Sequence, residues 1–197
     1  MGPQSQLLTE AERFSTQLIA TRVSRDRWFH SLEHTRGVAR NSFRLAQMAS
    51  CSYAELEMLL VAAWFHDTGY IVGSVGHEQE RARIAIAFLR PFNRSSEFIG
   101  GIRDLILATR VPPSPFNLLE EIICDADMAH LGSVEYWHCE ALLRRELESA
   151  EGVVLSDEDW ARKNISFFQQ HSYYTKYARE LWDEGKLLNL SRLMNIQ

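Results

Sequence analysis

The sequence has little cysteine: Cys51, Cys124 and Cys139 are its three, with no Cys-x-x-Cys pair among them. So small and scattered a set excludes a disulfide framework and matches the free, apolar thiols of a reducing compartment. Proline (5) and glycine (10) are too few for a disordered or collagen-like chain. No stretch approaches the roughly 20 apolar residues of a membrane span, and no N-terminal apolar run resembles a signal peptide. The start, Met1-Gly2-Pro3-Gln4-Ser5-Gln6, lacks the hydroxyl residue a myristoylation signal needs at its sixth position. A cytoplasmic protein with no membrane partner is expected. A basic excess is also missing: Lys+Arg number 21 against 26 Asp+Glu, a net charge of -5. Overall charge therefore gives no counterion-release affinity for long nucleic acids, and a phosphate-bearing ligand would need a local positive centre.

What is present is apolar residues, 46% of 197, recurring at three- and four-residue spacing with no sustained alternation. The expectation is an all-α, compact single-domain helical bundle over 1–197, with a core at about 28–132 and C-terminal helices at about 133–197 packed on it. Thr9-x-x-Glu12 reads as a capping box opening a first helix to about Val23. A second helix covers roughly Leu32 to Ala49, and Ser52-x-x-Glu55 opens a third that stops near Gly69, a residue able to turn left-handed. Further helices span His77 to Arg90, Ser95 to Thr109, and a segment capped by Asn117-x-x-Glu120, with a proline loop Val111-Pro112-Pro113-Ser114-Pro115 before the last of these. Others start near Ser133, at Ser156-x-x-Asp159 and near Ser172, with a short final helix after Gly185. Phe167, Phe168, Tyr173, Tyr174 and Tyr177 read as core, and Leu187, Leu188, Leu190 and Leu193 either dock the last helix or make a homodimer contact.

The seven histidines are the chemical signal, because imidazole is the commonest metal ligand. In Trp64-Phe65-His66-Asp67-Thr68-Gly69-Tyr70 an imidazole and a carboxylate stand side by side where an apolar helix ends. Adjacent helical positions point about 100° apart, so both reach one ion only near the helix end. His30 and His34 share a face if their helix already includes that turn. Cys124-Asp125-Ala126-Asp127 ends another apolar helix with two carboxylates, each needing a cation, a hydrogen-bond network or water.

Taken in order, His34, His66-Asp67 and Asp127 resemble the H...HD...D signature of the HD-domain superfamily of metal-dependent phosphohydrolases, across about half the chain. The resemblance implies one divalent ion (Mn, Fe, Co, Ni, Zn or Mg) on His34, His66, Asp67 and Asp127, with Asp125 as an outer partner. It further implies hydrolysis of a phosphate mono- or diester of a nucleotide or similar small molecule, with the metal lowering the pKa of its bound water. Segment 106–132 resembles HD phosphohydrolases of unassigned substrate. Phe29-His30-Ser31-Leu32-Glu33-His34 is similar to the His-x-x-x-His element of cyclic-nucleotide phosphodiesterases, which implies His30 as general acid, alongside Asp67 in the catalytic pair. His77-Glu78 resembles a His-Glu that contributes to a second metal or orients water. Arg110 and Arg36 are candidates for the phosphate. Thr68-Gly69-Tyr70-Ile71-Val72 lacks the Glu-Asp pair of guanosine-tetraphosphate hydrolases and the Glu of bacterial nucleotidases, and no Gly-Tyr-Pro element of cyclic-di-GMP hydrolases follows. Two other readings share the motif: a catalytically degenerate nucleotide-sensing HD module, and an HD-type di-iron oxygenase. His130, His138 and His171 receive no role.

Overall fold

Single side chains set the helix starts in the computed structural model, which describes residues 5–72 and 77–195, with side chains of 5–72 and 79–195. Ser5, not Thr9, caps α1 (Gln6–Arg22), its hydroxyl accepting from the Leu8 amide at 3.1 Å. Thr9 lies inside the helix, its hydroxyl donating to the Ser5 carbonyl. A serine followed by helix-compatible residues captured the orphan amides one turn earlier than the capping-box pattern implied. Ser31 caps α2 (Leu32–Met48), and Ser52 with Glu55 forms the expected capping box of α3 (Tyr53–Phe65).

Helix α3 is the centre of the molecule. Its run Val61-Ala62-Ala63-Trp64-Phe65 is buried on every side, and α1, α2, α4 (His77–Leu89), α5 (Ser96–Ala108) and α6 (Leu118–Asp127) pack around it. A stretch apolar all round has no solvent face, so this half of α3 can only be interior, while its first turn, Tyr53 to Glu55, stays exposed. Gly69 is not left-handed, contrary to expectation: the chain passes from α3 into a 3₁₀ turn, Thr68–Val72. The hydroxyl of Thr68 donates to the Phe65 carbonyl at 2.8 Å and the Tyr70 amide to the Asp67 carbonyl at 3.1 Å, so the helix end is satisfied without a glycine cap.

After α6 a 3₁₀ turn, Met128–Gly132, leads to α7 (Tyr136–Glu151), α8 (Asp157–Gln170) and α9 (Lys176–Met194). The last is one helix rather than two, and Gly185 lies within it. Gly185 is there because α9 crosses the 3₁₀ turn so closely that a β-carbon at Gly185 would collide with the carbonyl oxygen of Gly132, and one at Gly132 with the backbone of Trp182. Leu131, Tyr136, Phe168 and Leu193 form a second small core that ties α7, α8 and α9 to this turn. Leu193 is buried while Leu187 and Leu188 stay exposed, so the leucine run divides between the two faces of α9. Among the described residues every α-helix or 3₁₀ turn belongs to an all-α architecture, and no helix is long and apolar enough to cross a membrane.

Candidate metal centre

Three helix ends converge. His34 stands in the first turn of α2, His66 follows the last residue of α3 with Asp67 beside it, and Asp127 closes α6. The Nε2 atoms of His34 and His66 face each other at 3.3 Å. Asp127 Oδ1 lies 3.0 Å from His34 Nε2 and 3.7 Å from His66 Nε2, while Asp67 Oδ2 lies 3.4 and 3.1 Å from the same two nitrogens. Donor atoms bound at about 2.1 Å to one ion stand roughly 3.0–3.4 Å apart in octahedral or tetrahedral geometry, the spacing of each of these pairs except Asp127 with His66. His34, His66 and Asp127 each offer a ligand atom within 4.8 Å of the others.

Two further observations fit a cation. Asp67 Oδ2 is buried and makes no hydrogen bond, which is costly for a carboxylate oxygen unless a cation is supplied. The Nδ1 of His66 lies 2.7 Å from the Ala63 carbonyl, which can only accept, so Nδ1 carries a proton in every state and Nε2 is the position that a cation or a second proton takes. Burial, the largest influence on His66, opposes its charged form, yet Asp67 and Asp127 outweigh it and raise its pKa to about 9. Burial likewise opposes ionisation of Asp67 and Asp127, but the neighbouring imidazoles hold both carboxyls below their usual range. From the side opposite solvent, the buried Arg81 of α4 donates to the His66 carbonyl at 3.1 Å and fixes the backbone of the doublet.

A cleft of about 900 Å³ opens on the cluster, with His34 and Asp127 among its lining residues. Arg36 lines it, as does Arg40 one helical turn further along α2, with Trp28 and Trp182 as aromatic walls. Arg110 is elsewhere, in a separate cavity of about 350 Å³ with Asp104, Phe116 and Glu120, where no cluster residue is found. Asp125 also faces away from the cleft. One oxygen accepts from the Tyr174 amide, the other from the Thr175 amide and hydroxyl, all at 2.8 Å, so this carboxylate anchors the start of α9. The side chains of His77 and Glu78 lie outside the described residues.

His30 precedes α2 instead of sharing its face with His34, because Ser31 caps the helix after it. Its ring stands 6.0 Å from that of His34, with Nε2 at 3.1 Å from the Tyr70 hydroxyl and Nδ1 at 2.6 Å from Glu146. Sequence reasoning missed Glu146, Tyr70, Arg81 and Arg40. One signal was available for Glu146: it follows Cys139 and Leu143 at helical spacing, a carboxylate continuing a largely apolar stripe. His130, given no role, lines the cleft with Nδ1 at 3.2 Å from the Asp127 carbonyl, and burial lowers its pKa to about 4.

A family model described as HD domain matches residues 31–131. Similar solved structures include a predicted HD superfamily hydrolase from an uncultured Thermotogales bacterium, 18% identical with a TM-score of 0.64, covering 96% of this chain and 90% of that one. A Lactobacillus plantarum protein is 16% identical with a TM-score of 0.70, covering 98% and 96%. Bacillus subtilis YpgQ in complex with ADP is 15% identical with a TM-score of 0.65, covering 97% and 93%. At these identities the likeness is one of fold. No curated protein matches the chain.

Proposed function

The chain belongs to the HD-domain family, and on that premise we propose that it is a metal-dependent phosphohydrolase acting on a phosphate mono- or diester of a nucleotide or similar small molecule. The observation that carries the reading is the convergence of His34 Nε2, His66 Nε2, Asp67 Oδ2 and Asp127 Oδ1 beside a cleft lined by Arg36. Those four side chains would hold one divalent ion. When bound, such an ion supplies Lewis acidity at a phosphoryl oxygen and lowers the pKa of coordinated water.

The remaining work falls to the chain. Arg36 offers a planar fork to the phosphoryl oxygens from the cleft wall. Asp67 keeps its charge against burial because both imidazoles stand against it, which suits it to accept a hydrogen bond from attacking water. His30 is the proton donor to the leaving oxygen: burial works against its charged form, but Glu146 and the cluster carboxylates raise its pKa. A cleft of about 900 Å³ has room for a nucleotide, and the ADP carried by the similar YpgQ structure supports that class.

Purified protein is expected to carry about one divalent ion per chain and to hydrolyse bis-p-nitrophenyl phosphate or a member of a nucleotide panel. His66→Ala and Asp67→Ala should each lose the ion and at least about 100-fold of kcat. Full turnover in variants that hold no ion sinks the proposal. A nucleotide thermal shift without turnover in metal-replete protein replaces it with a sensing module, and two irons with oxygen uptake replace it with an oxygenase.

A further inference from the structure

The family match spans residues 31–131, and outside its two ends lie residues that meet in space, His30 immediately before it and Glu146 on α7 well after it. The Glu146 carboxylate is 2% exposed. Its Oε2 accepts from the amides of Phe29 at 2.9 Å and His30 at 3.1 Å, while Oε1 takes His30 Nδ1 at 2.6 Å and Arg27 Nη1 at 3.3 Å. Burying a carboxylate is costly, and truncating one partner of such a network is more so. Every donor here comes from the short stretch 27–30.

Tying down a loop does not need an ionised side chain against an imidazole. The bond to Nδ1 adds something a packing contact would not: an ionised carboxylate only accepts, so Nδ1 must carry hydrogen, and the variable position of the ring is Nε2. That nitrogen is turned to the Tyr70 hydroxyl at 3.1 Å, and the Tyr70 ring stacks on His30 with centroids 4.2 Å apart. Tyr70 belongs to the 3₁₀ turn that follows the His66-Asp67 doublet, so the ring is clamped between α7 and that turn.

We infer that Glu146 is a positioning residue that fixes the orientation and tautomer of His30, holding Nε2 against Tyr70 beside the His66-Asp67 doublet. Its value for turnover rests on the role given to His30 above, whereas the tautomer can be read without any turnover. The carboxyl of Glu146 is itself held below its usual range: burial opposes this, but the bonds from His30 and the amides prevail, so an acceptor is always present.

The test uses the full chain labelled with 15N-histidine, in wild type and Glu146→Gln, with the resonance absent from His30→Ala marking His30. Glutamine keeps the volume. Its carbonyl can accept from both amides while its NH2 group donates to Nδ1, so neutral His30 should switch from hydrogen on Nδ1 to hydrogen on Nε2. In Mn-loaded protein with bis-p-nitrophenyl phosphate, Glu146→Gln should lower kcat about tenfold with KM within about twofold, and should cost nothing further in a His30→Ala background. An unchanged His30 tautomer overturns the inference, as does a kcat loss of the same size when His30 is absent. Should the wild type hydrolyse no phosphate ester, the proposed function fails alone, because the nitrogen spectra still decide whether Glu146 sets His30.

Discussion

At the level of single residues, His66 shows how a candidate metal site treats a proton in place of a metal. Its pKa is raised to about 9 against an ordinary 6.5. A raised folded-state pKa contributes stability that is complete below about 6.5 and is lost as pH climbs through about 9. Chelator-treated protein should therefore melt at progressively lower temperature between those values, and addition of Mn should flatten the profile by taking the proton's place. Thermal scans across pH 6–9 check this; a Tm rising over that window in chelated protein contradicts the assignment. The ordered set His34, His66, Asp67 and Asp127 was legible in the sequence through its resemblance to the H...HD...D signature, and each of the four stands at or next to a helix end. Glu146 was not, since its partner His30 lies 116 positions away and no local pattern encodes that pairing.

Among elements, α9 is where local propensity misled. Glycine inside a helix is ordinarily about 1 kcal/mol worse than alanine, so a break at Gly185 was the natural reading. Tertiary contact overrides it: the backbone of α9 touches that of the 3₁₀ turn Met128–Gly132, and only a residue without a β-carbon permits the approach. Gly185→Ala should accordingly destabilise the protein by about 1–3 kcal/mol despite the better helix former, because backbone on the other side cannot yield as a side chain can. A denaturant midpoint that rises in this variant would show that the helices separate at no cost. The start of α9 carries the same lesson. Asp125, legible only as a carboxylate in need of a partner, found its donors at Tyr174 and Thr175 on a segment 49 and 50 residues downstream.

For the whole molecule, fold class was written in periodicity, since apolar residues at three- and four-residue spacing gave an all-α chain, whereas the central place of α3, buried from Val61 to Phe65 with other helices around it, is a matter of tertiary packing. The position of the proline loop was equally plain, but Arg110 beside it lines a separate cavity, because sequence proximity to a loop says nothing about which cavity that loop borders. An ion on the proposed ligands would link α2, the α3 terminus and α6, three elements of the core, so its removal should be felt globally. At an ion concentration about 100 times its dissociation constant, binding contributes about 2.7 kcal/mol, and excess chelator should lower Tm by several degrees in calorimetry. Equal melting with and without chelator would show that the cluster holds its shape unaided. The cleft wall also bears on where the protein may be cut. A fragment trimmed to 31–131 would keep all four candidate ligands yet lose Trp28, His30, Glu146 and Trp182, and the 3₁₀ turn that α9 covers would face water. The recognisable segment is thus shorter than the unit that holds the cleft and its covering helix together, and expression boundaries set outside α1 and α9 keep both.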